Sequence, residues 1–120
     1  MEYLEIAIKL IISLSVLNVW LFRANKETPW RGGTAKSLRE EFQEYGLSDQ
    51  QMRLVGAIKI ILAILILTSI FYSPLEIFGA VGMIVMMTGA IAMHIKINDP
   101  IKRSIPAFSF LILSIVLLII

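Results

Sequence analysis

The chain has no cysteine and a single histidine in 120 residues. Without thiols there are no disulfides, no thiolate metal sites and no dithiol relay, which removes the thiol chemistry of membrane disulfide-forming enzymes. One histidine without other strong ligands makes a poor metal or haem site, so no metal is expected. A Walker loop, a dinucleotide glycine fingerprint, a His-Glu-x-x-His pattern and a serine nucleophile elbow are missing too, and with them the common soluble chemistries. Polar residues are also scarce. At 58% hydrophobic residues and a mean hydropathy of +0.82, too little polar surface remains to cover a soluble domain of this size.

Apolar runs fill the space instead: Leu4 to Phe22, Leu54 to Tyr72, Leu75 to Ile95 and Ile105 to Ile120. A hydrocarbon core about 30 Å thick needs about 20 apolar helical residues at 1.5 Å each. Three runs satisfy this. The last, over 105–120, falls short and spans only where the bilayer thins or its end sits at the interface. The first begins with Glu2 and Glu5 and lacks both a positive leader and a small-residue cleavage site, so it is expected to remain as a span rather than leave as a signal. Within it, Glu5 and Lys9 stand four apart, a spacing that pairs charges on one helical face.

Positive charge is one-sided. Arg23, Lys26, Arg31, Lys36, Arg39 and Arg53 lie between spans one and two, and Lys96, Lys102 and Arg103 between spans three and four. The turn Tyr72-Ser73-Pro74 and the carboxyl end carry none, so the positive-inside rule puts both basic loops in the cytoplasm and both termini outside. The net charge of +2 therefore reports orientation in a plasma (inner) membrane, and no nucleic acid partner is expected.

Helix starts are marked by Ser73-Pro74 with Glu76, by Ser48 with Gln51, and by Ser104 with Pro106. In the first loop, Ser37 with Glu40 opens a further pattern: Leu38, Phe42 and Tyr45 recur at i, i+4 and i+7, and Gly46 follows as a left-handed cap. The expectation is one transmembrane domain over 1–120: an all-α, antiparallel up-down four-helix bundle with a short amphipathic interfacial helix over about 38–45. That helix lays Phe42 and Tyr45 into the headgroup layer or against the bundle mouth and turns Arg39, Glu40, Glu41 and Glu44 to water. It serves as an ordered connector or as a lid.

Candidate chemistry rests on the few polar groups at the membrane. Lys59 lies roughly 7.5 Å inside the loop end of span two. It either snorkels to the interface or faces the bundle interior, where an acid such as Asp99 or Glu41 would stand near its ammonium. Asn18 approaches the same depth from span one and can bond a neighbouring helix. His94 shares a stripe with Met83, Met87 and Ala90, and either caps a helix or joins a substrate or quinone pocket. Together Asn18, Lys59 and His94 form the candidate polar pocket, with no catalytic residue assigned. Arg31-Gly32-Gly33 is a turn or a wrap for an anionic headgroup. Gly79, Gly82 and Gly89 form a smooth strip for close helix approach, by a helix of the same bundle or of a second copy or other membrane protein.

Several of these segments carry a resemblance. Trp30-Arg31-Gly32-Gly33 through Glu40-Glu41-Phe42, Tyr45-Gly46-Leu47, Val55-Gly56-Ala57-Ile58-Lys59 and Met93-His94-Ile95-Lys96 to Asp99-Pro100 resemble the DoxX-like family, in order, from about Asn18 to Ala107. The resemblance implies a small four-span bacterial inner-membrane protein. The family is named for its relation to the membrane subunit of a thiosulfate:quinone oxidoreductase, and distant animal relatives look like membrane chaperones. Two functions follow as expectations. The first is a non-catalytic scaffold, assembly factor or accessory subunit, favoured by the absence of cofactor ligands. The other is a subunit of a quinone-linked oxidoreductase with a quinone or lipid pocket on the cytoplasmic side, a quinone being its one implied cofactor.

The orientation is directly testable, because the native chain offers no competing thiol. In intact cells an impermeant thiol reagent is expected to label Ser73→Cys and to leave Lys36→Cys untouched until the membrane is opened. Labelling of Lys36→Cys from outside would reverse the assignment.

Overall fold

A computed structural model of the chain describes residues 2–120. Helix α1 (Glu2–Leu17) runs on through a π-helical turn, Asn18–Phe22, and a loop carries the short helix α2 (Leu38–Glu44). Then come α3 (Asp49–Thr68), α4 (Leu75–Lys96), a 3-10 turn (Ile101–Ser104) and α5 (Ile105–Ile119). Four of these helical segments are long and apolar enough to cross a membrane. The 3-10 turn supplies the length that 105–120 lacked: Ile101–Ile119 is a continuous helical stretch of 19 residues.

The long helices pack in a ring, α1 on α3, α3 on α4, α4 on α5, with α5 closing more lightly on α1. Lys9, Ser69 and Glu76 meet at the end of the bundle bearing the 69–74 turn, and Trp20, Gly56 and His94 gather at the opposite, loop end. Neighbouring long helices are therefore antiparallel. Ile12, Ile66, Met83 and Leu117 are fully enclosed between them, while Ile11, Ile61, Phe78 and Ile112 point outward, as lipid-facing positions require.

Local signals explain most boundaries. Ser48 and Gln51 form a complete capping box, each side chain bonding the other's backbone N–H. Ser37 caps α2 through the Glu40 amide at 3.2 Å, but the Glu40 carboxylate bonds the Ser37 hydroxyl rather than closing the box. At the start of α4 the expected box does not form. The Glu76 amide bonds the Ser73 backbone carbonyl, and the Glu76 carboxylate reaches Lys9 at 3.1 Å. The Glu5 to Lys9 pair expected from spacing is thereby replaced. Lys9 is buried inside the bundle, where Glu76 and the Ser69 carbonyl at 3.3 Å are the acceptors within reach.

The glycine strip divides in two. A Cβ on Gly79 would lie 2.6 Å from Ile66 Cγ1 and 3.1 Å from the rigid Ile66 amide nitrogen, and one on Gly82 would collide with Leu62. At this level α3 and α4 of the same chain touch nearly backbone to backbone. Two turns further on, a Cβ on Gly89 would meet nothing within 4 Å. The pair is thus closed at the turn end and splayed at the loop end.

Gly79→Leu and Gly82→Leu are expected to destabilise the bundle by about 1–3 kcal/mol or more, since overpacking here pushes on helix backbone. Gly89→Leu, in open space, should leave thermal stability in detergent nearly unchanged. Equal losses at all three positions would contradict the splayed geometry.

Candidate functional site

Where α3 and α4 part, the bundle forms a partly open cavity of about 710 Å³. Its wall draws on the end of α1, the 28–31 loop, α2, and the loop-end halves of α3, α4 and α5. Asn18, Lys59 and His94 all lie on it. Asn18 is exposed at the rim, Lys59 half-buried and His94 buried.

Asn18 owes its place to the π turn, in which the Arg23 amide bonds the Asn18 carbonyl five residues back. Such a turn widens the helix and re-aims its side chains, and π turns are frequent at functional sites. The same turn lays the Trp20 ring across Gly56, whose missing side chain makes the room: a Cβ there would lie 2.6 Å from the ring. Trp20 then packs edge-on to Phe42 with centroids 5.8 Å apart, Phe42 on Tyr45 at 5.8 Å, and Tyr45 edge-on to the His94 ring at 5.7 Å. Leu38, Phe42 and Tyr45 bury the apolar face of α2 against Val19, Val55, Met93 and Ile97, so α2 sits on the bundle mouth.

His94 is held from both ring nitrogens. Nδ1 is 2.7 Å from Asp99 Oδ2, and Nε2 is 3.3 Å from the Tyr45 hydroxyl. Burial, followed by the nearby charges of Glu41 and Asp99, pushes the Tyr45 hydroxyl well above its ordinary range and keeps it a proton donor. A ring with its proton on Nδ1 satisfies both contacts, donating to Asp99 and accepting from Tyr45. The backbone arranges this. Asn98 adopts the left-handed conformation at φ 58, the Asn98 amide bonds the Ile95 carbonyl and the Asp99 amide bonds the His94 carbonyl. This Schellman turn ends α4 and brings Asp99 back beneath His94, with Pro100 barring further helix.

Asp99 also ties down the first loop. It accepts the Gly33 amide at 3.0 Å and approaches Arg103 at 3.6 Å, while Arg103 donates to the carbonyls of Arg31, at 2.8 Å, and Gly33. Glu41, expected to face water, is instead buried and accepts the Gly32 amide at 2.6 Å. It turns inward because that loop amide needs an acceptor and the α2 face is folded onto the bundle. Arg31 is buried and donates to the carbonyls of Arg23, at 2.7 Å, and Lys26. Its desolvation lowers the guanidinium pKa, opposed by the charge of Glu41.

Lys59 is different. Its ammonium rests over the Trp20 ring, 5.7 Å from the centroid, a cation–π geometry on the cavity wall. Neither Asp99 nor Glu41 comes within ion-pair distance of it, and among the described residues it has no hydrogen-bond partner. The acid expected beside it is committed elsewhere, to His94 and the 32–33 backbone.

The ties through Asp99 lead to a direct expectation. Asp99→Ala leaves the Gly33 amide, His94 Nδ1 and Arg103 without their shared acceptor, and bonds to charged groups of this kind contribute about 1.5–3 kcal/mol each. Limited proteolysis within 25–36 should accelerate and thermal stability should fall, whereas Gln43→Ala on the exposed side of α2 should change little. Unaltered cleavage in Asp99→Ala would show that the loop is held by other contacts.

No curated protein and no solved structure matches the chain. Residues 31–117 match the DoxX-like family, a segment that takes in the Arg31 loop, α2, Lys59, His94 and Asp99 and leaves α1 with Asn18 and Trp20 outside. With most of its length covered by that match, the chain belongs to the DoxX-like family.

Proposed function

We propose that this four-span membrane protein is a ligand-holding accessory subunit whose loop-end cavity takes up a lipid-soluble amphipathic molecule of the quinone or lipid class. One observation carries the proposal: a cavity of about 710 Å³, within the size range of small-molecule sites, with an apolar interior and a few convergent polar groups at one end. The one-sided basic loops support a position for that end at the cytoplasmic leaflet of the plasma membrane. Helix α2 and the 30–33 loop act as its cover, and the Tyr45, His94 and Asp99 chain gives the polar head of a ligand a route for proton exchange with the loop.

A purely scaffolding role would draw on the glycine strip and on α2. Gly79 and Gly82 are occupied by α3 of the same chain, and the apolar face of α2 is folded onto the bundle mouth. These surfaces are committed within the chain, which weights the reading toward the cavity.

Extraction from native membranes in polymer discs, followed by native mass spectrometry, is expected to find a small apolar molecule bound near one per chain. Ala90→Phe, which fills the cavity wall, should lose that molecule while the helical content is retained. An empty wild-type protein that instead retains a stoichiometric membrane protein would favour the scaffold.

A further inference from the structure

We infer, building on the cavity reading above, that its occupant is an amphiphile with a single oxyanion head, a carboxylate or a phosphate, and that Lys59 is the counter-ion. The argument starts from how the charges of the chain are disposed. Lys9 has Glu76, Arg39 has Asp49 at 3.1 Å, and Arg103 has Asp99. Lys96 donates to the Tyr45 carbonyl at 2.8 Å, and Arg31 to two carbonyls of its own loop. Arg23, Lys26, Lys36, Arg53 and Lys102 have no ion pair among the described residues but are exposed, whereas Lys59, half-buried within α3, has only an aromatic face. An ammonium below the interface of a bilayer, with no anion within ion-pair distance, is costly, and such groups are typically paired or ligand-directed.

No acid of the site is free to supply the missing charge. Glu41 is bound by the Gly32 amide, and Asp99 is shared by Gly33, His94 and Arg103. The cavity wall accordingly carries Arg23, Arg31, Lys59 and Arg103 against Glu41 alone, with Asp99 behind it balancing Arg103. A neutral quinone carbonyl would accept a bond from Lys59 but leave the excess positive charge in place. A carboxylate or phosphate cancels it and can accept from both the Lys59 ammonium and the Asn18 amide.

The other end of the ligand is apolar for a reason on the same wall. Gly89, with open space beside it, and Val85, 63% exposed, line the cavity on the lipid-facing side of α4. They leave an opening through which a tail passes between the splayed helices into the bilayer, while Met86, Met93 and Phe110 contact its first segment.

The test uses the full chain in discs of phosphatidylcholine, with Trp20 and Trp30 in the cavity wall as fluorescent reporters. Saturable quenching is compared for a dibrominated fatty acid, its methyl ester, an alkyl phosphate with the same brominated tail, and a brominated neutral benzoquinone. The acid or the phosphate is expected to bind roughly tenfold or more tightly than the ester, the ratio that one charge-assisted bond supplies. Their relative order then tells which headgroup the site takes. Inorganic phosphate alone should not displace either, since the tail contributes much of the binding. Lys59→Met should abolish the preference with little change for the ester, and Lys59→Arg should keep it.

Equal binding of acid and ester, or a preference for the quinone, would overturn the anionic head while leaving the cavity reading intact. Saturable quenching by none of the probes would overturn both. Should Lys59→Met fail to fold, the ratio measured on the wild-type chain decides the matter alone.

Discussion

A bilayer interior offers no water to a polar group, so every donor, acceptor and charge in the spans must be satisfied by the protein itself. That constraint organises this molecule. Lys9 folds back onto Glu76 and the Ser69 carbonyl, which pins α1, α3 and α4 together at the turn end. His94 is bonded at both nitrogens, and Arg31 spends its guanidinium on carbonyls. Two groups of the described spans depart from this pattern: the buried Ser13 hydroxyl has no partner, and Lys59, on the wall of the loop-end cavity, has only the face of Trp20.

The space follows from how the helices are joined. Close approach at Gly79 and Gly82 fixes α3 and α4 at one end, and nothing draws them together at Gly89. Into the gap fold Trp20, carried on the π turn and seated on Gly56, and the apolar face of α2. The cover is held by few bonds, chiefly Asp99 to Gly33, Glu41 to Gly32 and Arg103 to the Arg31 and Gly33 carbonyls. A cover tied by a handful of polar contacts can open locally without unzipping the glycine contact, as elements that admit ligands commonly do.

Much of the fold could be read directly from the chain. Apolar runs of span length gave the helices, Ser48 with Gln51 and Gly46 gave real boundaries, and Leu38, Phe42 and Tyr45 gave α2 with its apolar face. What escaped were long-range choices among equally good partners. Spacing offered Lys9 to Glu5, yet the tertiary fold gave it to Glu76, 67 positions away in sequence by their numbers. Glu41 looked solvent-facing on a helical wheel because a wheel cannot show that an amide of the preceding loop needs an acceptor. The members of the polar trio were legible individually, since ionisable and amide groups are rare at such depths. Trp20 was not, because a tryptophan near the end of a span reads as an interfacial anchor. The signal that could have drawn it in was Gly56, a gap at the matching depth on the neighbouring helix. Asn98 before Asp99-Pro100 likewise marks the turn that aims Asp99 at His94.

The central claim is that the Lys59 ammonium is held inside the bundle, over Trp20, rather than in the headgroup layer. Nuclear Overhauser contacts of a selectively labelled Lys59 side chain, recorded in lipid discs, measure this most directly. The account requires cross-peaks from the ε-methylene protons of Lys59 to the indole of Trp20, with protection from a paramagnetic lipid headgroup. Contacts only to lipid headgroups, with strong paramagnetic broadening, would place the lysine outside the cavity and contradict it.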